Sequence, residues 1–239
     1  QLAMNQAIGI GELDDQMAAI RDLNRNLEFR KAIKHAIDGK AFAKAMSKGP
    51  FVTVYAGGLA RDSAFFDADA TSFFPYNPAG ANSILDGLGL MDTDGNGVRN
   101  LPNGGGDLVI NLVQNKGSDN EMLIGDGMAT MMAEVGIKIN IKPMEDTEPT
   151  RQAGEWDWLL VRSQQEMAFP NSGYWSDMGP VTTSSFDPHL GTDEHPQQLQ
   201  PFEKEIVSIL EEWRDGVEGA EAQALMSRYQ KLFTENVYM

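Results

Sequence analysis

Residues 88–114 read LGLMDTDGNGVRNLPNGGGDLVINLVQ, a polar turn running straight into an apolar strand. Side chains alternate across a pleated strand, so Leu108, Ile110 and Leu112 point one way and Val109 and Val113 the other. Apolar side chains on both sides require both faces to be covered, which is the condition of a central strand in an α/β sheet and not of a solvated edge.

The turn itself has two readings. Asp92, Asp94 and Asn96, followed by Gly97, match positions one, three, five and six of an EF-hand calcium loop. Position twelve, which needs a bidentate glutamate, falls on Asn103, and Pro102 with Gly104-Gly105-Gly106 stands where the exiting helix should begin. Asp and Asn also close turns on their own backbone, and glycine supplies the positive φ such turns need, so a metal-free turn accounts for the same residues.

Downstream, Ser118-Asp119-Asn120-Glu121 spells a capping box, Ile124, Met128, Met131, Met132 and Val135 form an apolar helical stripe, and Gly136 stops it. Ile137, Ile139 and Ile141 then alternate with Lys138, Asn140 and Lys142, a strand with one buried face. Strand, helix, strand is a βαβ unit, so the two strands should be parallel. Residues 156–162 (WDWLLVR) predict a third buried strand, and the polar residues 163–201 show no regular pattern. Ligands of open α/β sheets bind beyond the carboxyl ends of the strands, which singles out Arg162, Ser163, Gln164, Gln165 and Glu166 as candidate recognition residues. Two amphipathic helices close the chain, striped by Phe202, Ile206, Ile209, Leu210 and Trp213 and by Leu225, Tyr229, Leu232 and Phe233.

Upstream, Asn26 caps a helix carrying Phe29, Ile33 and Ile37, and Asp38 caps a second over residues 40–47. Residues 51–81 are rich in aromatics and turn formers and read as a long ordered loop; residues 82–88 give a short helix closed by Gly89. Residues 1–25 have patchy apolar spacing that supports one short helix.

Lys and Arg number 19 against 35 Asp and Glu, a formal charge of −16 that argues against nucleic acid or an anionic membrane as partner. The chain has no cysteine, which excludes disulfides, thiolate metal sites and cysteine nucleophiles. The three histidines lack the HxxxH or HExxH spacing that brings two imidazoles onto one metal, and no GxSxG, phosphate-binding loop or dinucleotide fingerprint occurs, so neither an enzyme, a cofactor nor a metal centre is expected. The chain opens on Gln1 without an initiator Met or leader and ends on a helical pattern, which reads as a piece of something longer.

Three segments taken together carry a family resemblance: FRKAIKHAID at residues 29–38, the DTDGNGVR turn within residues 90–99, and GEWDWLLV at residues 154–161. They resemble the extracellular solute-binding proteins of family 5, the peptide, nickel and oligosaccharide receptors of ABC importers. The resemblance implies a periplasmic binding protein of type II, with residues 1–239 as a single α/β lobe: a mixed, mostly parallel sheet flanked by helices, forming the C-terminal ligand-binding lobe. The opposing lobe would come mostly from N-terminal sequence elsewhere in the same protein. It further implies a periplasmic receptor that closes two lobes on a small solute and delivers it to the transmembrane permease subunits. In peptide-binding members the strand resembling residues 157–162 is followed by a Trp and, three residues later, by an Asp that holds the peptide ammonium. In register, Ser163 takes the Trp position and Glu166 the Asp position, so the acid is kept and the aromatic is not. Peptide stands narrowly ahead of an oligosaccharide or opine-like solute on that basis, and a calcium-binding interaction module through Asp92, Asp94 and Asn96 is the reading from another class.

Overall fold

The computed structural model describes residues 2–11, 13–46, 58–161, 178–183 and 186–238. Four strands form one sheet, β1 (Leu2–Met4), β2 (Val109–Asn115), β3 (Lys138–Met144) and β4 (Trp158–Leu160), in the order β1-β4-β2-β3. β2 is central, as residues 88–114 predict, and pairs parallel with β3 on one side and β4 on the other. β1 closes the sheet antiparallel to β4, so the sheet is mixed and mostly parallel. At the far edge β3 turns Lys138, Asn140 and Lys142 to solvent and carries Pro143 near its end, features that keep an edge strand from pairing with another chain.

The predicted βαβ unit is β2, α5 (Asp119–Glu134) and β3. Ser118 caps α5 through its Oγ, which accepts from the Glu121 amide. The other half of the capping box goes elsewhere: Glu121 Oε2 accepts from the amide of Asn115 at 2.8 Å, tying the helix start to the last residue of β2. Gly136, at φ 76°, provides the left-handed residue that ends the helix.

On one face of the sheet lie α1 (Asp15–Arg25), α2 (Leu27–Ala36), α3 (Gly39–Met46) and α4 (Pro78–Gly87) with α5. Phe29, Ile33, Leu85, Leu90, Met128 and Met132 pack there against Leu108, Ile110, Leu112 and Trp158. Each such fully buried side chain contributes about 1.5–3 kcal/mol of transfer free energy. The opposite face carries a smaller cluster of Ala3, Val113, Trp156 and Leu159, and α6 (Glu148–Ala153) connects β3 to β4. A separate core forms where α7 (Pro201–Arg214) meets α8 (Gly219–Glu235): Ile206, Ile209, Leu210, Leu225, Met226, Tyr229 and Phe233 enclose it with Leu59 and Tyr238.

The caps read from sequence hold. Asn26 Oδ1 accepts from the amides of Glu28 and Phe29, and Asp38 Oδ1 from those of Lys40 and Ala41. Two boundaries differ, and one strand is new. α4 starts at Pro78, four residues before Asn82, because Asn77 accepts from the Gly80 amide and proline at the first helical position needs no hydrogen bond. β4 is shorter than residues 156–162; before it the Asp157 carboxylate takes a ladder position, accepting from the Asn111 amide at 2.8 Å and its side chain at 2.9 Å. β1 is a strand where the sequence reading has none, since three residues are too few to show a period and their pairing partner lies far along the chain. Residues 58–77 of the long loop are strapped across the molecule, with Ser227 Oγ on Asp67, the Ser72 amide on Thr234, and His35 Nδ1 2.7 Å from the Pro75 carbonyl, and residues 51–57 lie outside the described residues. Ser47, the last residue of the second predicted helix, lies outside the described residues.

Candidate functional site

From β2 the chain crosses to β3 on one side and returns through α6 to β4 on the other, so the connections part company between β2 and β4. A crevice forms outside the carboxyl ends of strands at such a point. On the β3 side of β2 the carboxyl edge is built from the loops after β2 and β3. Asn115 Oδ1 accepts from the Gly117 amide at 2.7 Å, the Asn115 carbonyl accepts from Ser118 N, and Lys116 N donates to the Met144 carbonyl at 2.9 Å. The Lys116 ammonium meets Glu145 Oε1 at 2.6 Å, with both side chains largely in solvent. This edge therefore offers amide, ammonium and carboxylate groups on a backbone whose own hydrogen bonds are made. Arg162, Ser163, Gln164, Gln165 and Glu166 follow β4 in sequence and lie outside the described residues.

The DTDGNGVR turn lies at the other edge, before β2 begins. Asp92 accepts from the amides of Gly95 at 2.8 Å and Gly97 at 2.9 Å, Asp94 from Asn96 N, and Asn96 Oδ1 from Val98 N at 2.7 Å. The Gly97 amide, with that of Gly95, holds the Asp92 carboxyl below its usual range. The loop oxygens thus close their own turn, and the turn's product is the placement of Arg99. Arg99 is 8% exposed; it gives Nε to the Val135 carbonyl, Nη2 to Asn82 Oδ1 and Nη1 to Asp86 Oδ1, each at 2.7 Å, and reaches the Leu90 carbonyl as well. A hollow of about 350 Å³ beside it is lined by Asp86, Asp92, Arg99 and Glu134. A second hollow, of about 500 Å³, opens between residues 9–11 and 192–195, also away from the carboxyl rim.

Sequence reasoning missed a buried polar cluster. His189 belongs to a tight turn, Asp187–His189, and neither it nor Glu203 has any exposed surface. His189 Nδ1 lies 2.7 Å from Glu203 Oε1, the Tyr238 hydroxyl donates to the same oxygen, and Gln200 N donates to Oε2 at 2.6 Å. Burial raises the Glu203 carboxyl, but the bonds from His189, Tyr238 and Gln200 outweigh it and leave the group below the usual range; burial pushes Tyr238 well up. Glu203 three residues after Gln200 was the available signal, a box at a helix start. Asp157 is buried too, which raises its carboxyl, and burial lowers Arg21 to about 10 despite the charge of Asp157.

The chain is 34% identical over 236 residues to the periplasmic alpha-galactoside-binding protein of Rhizobium meliloti (strain 1021), covering 96% of this chain and 34% of that protein. It superposes with a TM-score of 0.92 and 32% identity on the periplasmic binding protein MelB of Agrobacterium fabrum C58 in complex with stachyose, over 99% of this chain and 36% of that one. The oligopeptide-binding protein OppA matches with a TM-score of 0.77 at 18% identity, over 99% of this chain and 39% of that one, a likeness of fold. The chain spans about a third of the length of the first two relatives. Its α/β architecture is that of a type II periplasmic binding protein, and it is periplasmic as those two relatives are by name. The model of the bacterial extracellular solute-binding proteins, family 5 Middle, matches residues 1–185, and the chain belongs to that family.

Proposed function

We propose that this chain is the ligand-binding lobe of an ABC importer's receptor, and that the receptor takes an α-galactoside oligosaccharide at the carboxyl rim of β2 and β4 and hands it to the permease subunits. The observation that carries the reading is the 34% identity, over nearly the whole chain, to a protein named for α-galactoside binding. The rim chemistry supports it: Asn115, Lys116 and Glu145 on this side, with Arg162, Ser163, Gln164, Gln165 and Glu166 next in the chain after β4, are donors and acceptors suited to hydroxyl groups. The sequence alone favours peptide by the Glu166 position; the comparisons reverse that order, because the likeness to the oligopeptide receptor reaches 18% and speaks to fold. Glu166 then accepts hydrogen bonds from sugar hydroxyls instead of pairing with an ammonium.

Calorimetry on the full-length receptor tests this. Saturable one-to-one heat with stachyose and none with a tetrapeptide is the expected outcome; the reverse would return the site to peptides. Glu166→Gln should weaken stachyose binding about tenfold, as loss of one charge-assisted bond does.

A further inference from the structure

The second ring nitrogen of His189 faces a cation: Nε2 lies 3.4 Å from Arg25 Nη1. A guanidinium has donors and no acceptor, so the nitrogen opposite it must hold a lone pair, and the ring proton must sit on Nδ1, where Glu203 accepts it. We propose that His189 is a proton-operated clasp: neutral and protonated on Nδ1, it seats Arg25, and a second proton, on Nε2, drives Arg25 away.

The charges around His189 come from every element packed on it. Arg25 ends α1; Arg30 of α2 lies 5.6 Å over the Phe202 ring and gives Nε to the Asn236 carbonyl; Glu203 is on α7 and Tyr238 follows α8; Asp187, on the same turn as His189, is held by Arg151 of α6 at 2.7 Å. Glu203 already receives His189, Tyr238 and Gln200, so a proton on Nε2 brings it no new hydrogen bond. That proton instead sets an imidazolium N–H against a guanidinium N–H, two like charges in a site with little water to screen them.

Arg25 is a junction. Nη1 also donates to the Gln6 carbonyl and Nη2 to the Gln198 carbonyl, both at 2.9 Å, so it joins the segment after β1 to the strap of residues 190–200. Residues 192–195 of that strap form one wall of the 500 Å³ hollow, with residues 9–11 opposite. Losing Arg25 loosens the strap, which then keeps only the Gln200 Nε2 bond to Gln6 Oε1 at 2.8 Å and the packing of Leu190 on Ala7 and Ile10 among the contacts described, and the hollow widens.

With three histidines in the chain, long-range proton–nitrogen spectra of the protein labelled at histidine read the tautomer directly, His189 being assigned by its loss in His189→Gln. At pH 7.5 a protonated Nδ1 and bare Nε2 are expected; a proton on Nε2 overturns the proposal. Lowering the pH to 5.5 should speed amide exchange in residues 190–200 about tenfold beyond the intrinsic change, a local opening of ordinary size. Arg25→Gln, which leaves His189 in place, should exchange fast at both pH values. Protection that ignores pH in the wild type, or an unchanged acid step in Arg25→Gln, would each refute it.

Discussion

Arg99 shows at the residue scale why a polar turn belongs in a structural argument. Its fork reaches Val135, Asn82, Asp86 and Leu90, so one planar side chain fastens the end of α5 and the middle of α4 to the turn before β2. Lysine has the charge but a single point of attachment. Arg99→Lys should therefore cost about 2–4 kcal/mol by leaving buried carbonyls unsatisfied, read as a fall in the urea midpoint with an unchanged slope. Glu203 carries a pH prediction. Its folded carboxyl is depressed, so the stability it contributes is present above the ordinary glutamate range and is lost as pH falls through the folded value. Glu203→Gln should be less stable than wild type by about 2–4 kcal/mol at pH 7, and the stability difference should shrink as the pH falls through the folded carboxyl's depressed range. The DTDGNGVR turn was legible residue by residue, since Asp, Asn and Gly announce their own turn chemistry; His189 and Glu203 were not, because their partnership spans a loop with no period.

At the scale of elements, the stripes and caps that position β2, α5 and β3 could be read because their partners lie within a turn or two of sequence. Helix α5 also holds two glycines in its interior, Gly125 and Gly127, each of which weakens a helix by about 1 kcal/mol relative to alanine. Their reason is tertiary. A Cβ at Gly125 would come 1.9 Å from Gln114 Oε1, and one at Gly127 would come 2.5 Å from the Phe42 ring, so the glycines let β2 and α3 approach the helix. Gly125→Ala should accordingly destabilise by about 1–3 kcal/mol against its propensity gain. Gln114→Ala removes the obstructing amide, whose oxygen is buried without a partner among the described residues. In Gln114→Ala/Gly125→Ala most of the Gly125→Ala penalty should vanish, and thermal denaturation of the four-member cycle gives the coupling directly. No sequence window contains that contact, since Gln114 and Gly125 belong to different periods.

For the whole molecule, the mostly parallel sheet and its order of strands point to the candidate site, while the proposed solute rests on relatives. Residues 88–114 gave the central strand, and the strand ends proposed to meet a ligand follow from chain direction alone. Which hydroxyl or ammonium sits there depends on a few side chains whose exchange leaves the fold unchanged, as the TM-score of 0.77 to an oligopeptide receptor at 18% identity illustrates. If this lobe supplies one wall of a two-walled site, binding energy is gathered when the second wall closes and expels water, and a single rim makes only part of the contacts. Ligand at a hundred times its dissociation constant stabilises a folded receptor by about 2.7 kcal/mol. Stachyose should therefore raise the melting temperature of the full-length receptor by several degrees and leave that of residues 1–239 alone where it was; an equal rise in both would mean that this lobe holds the whole site.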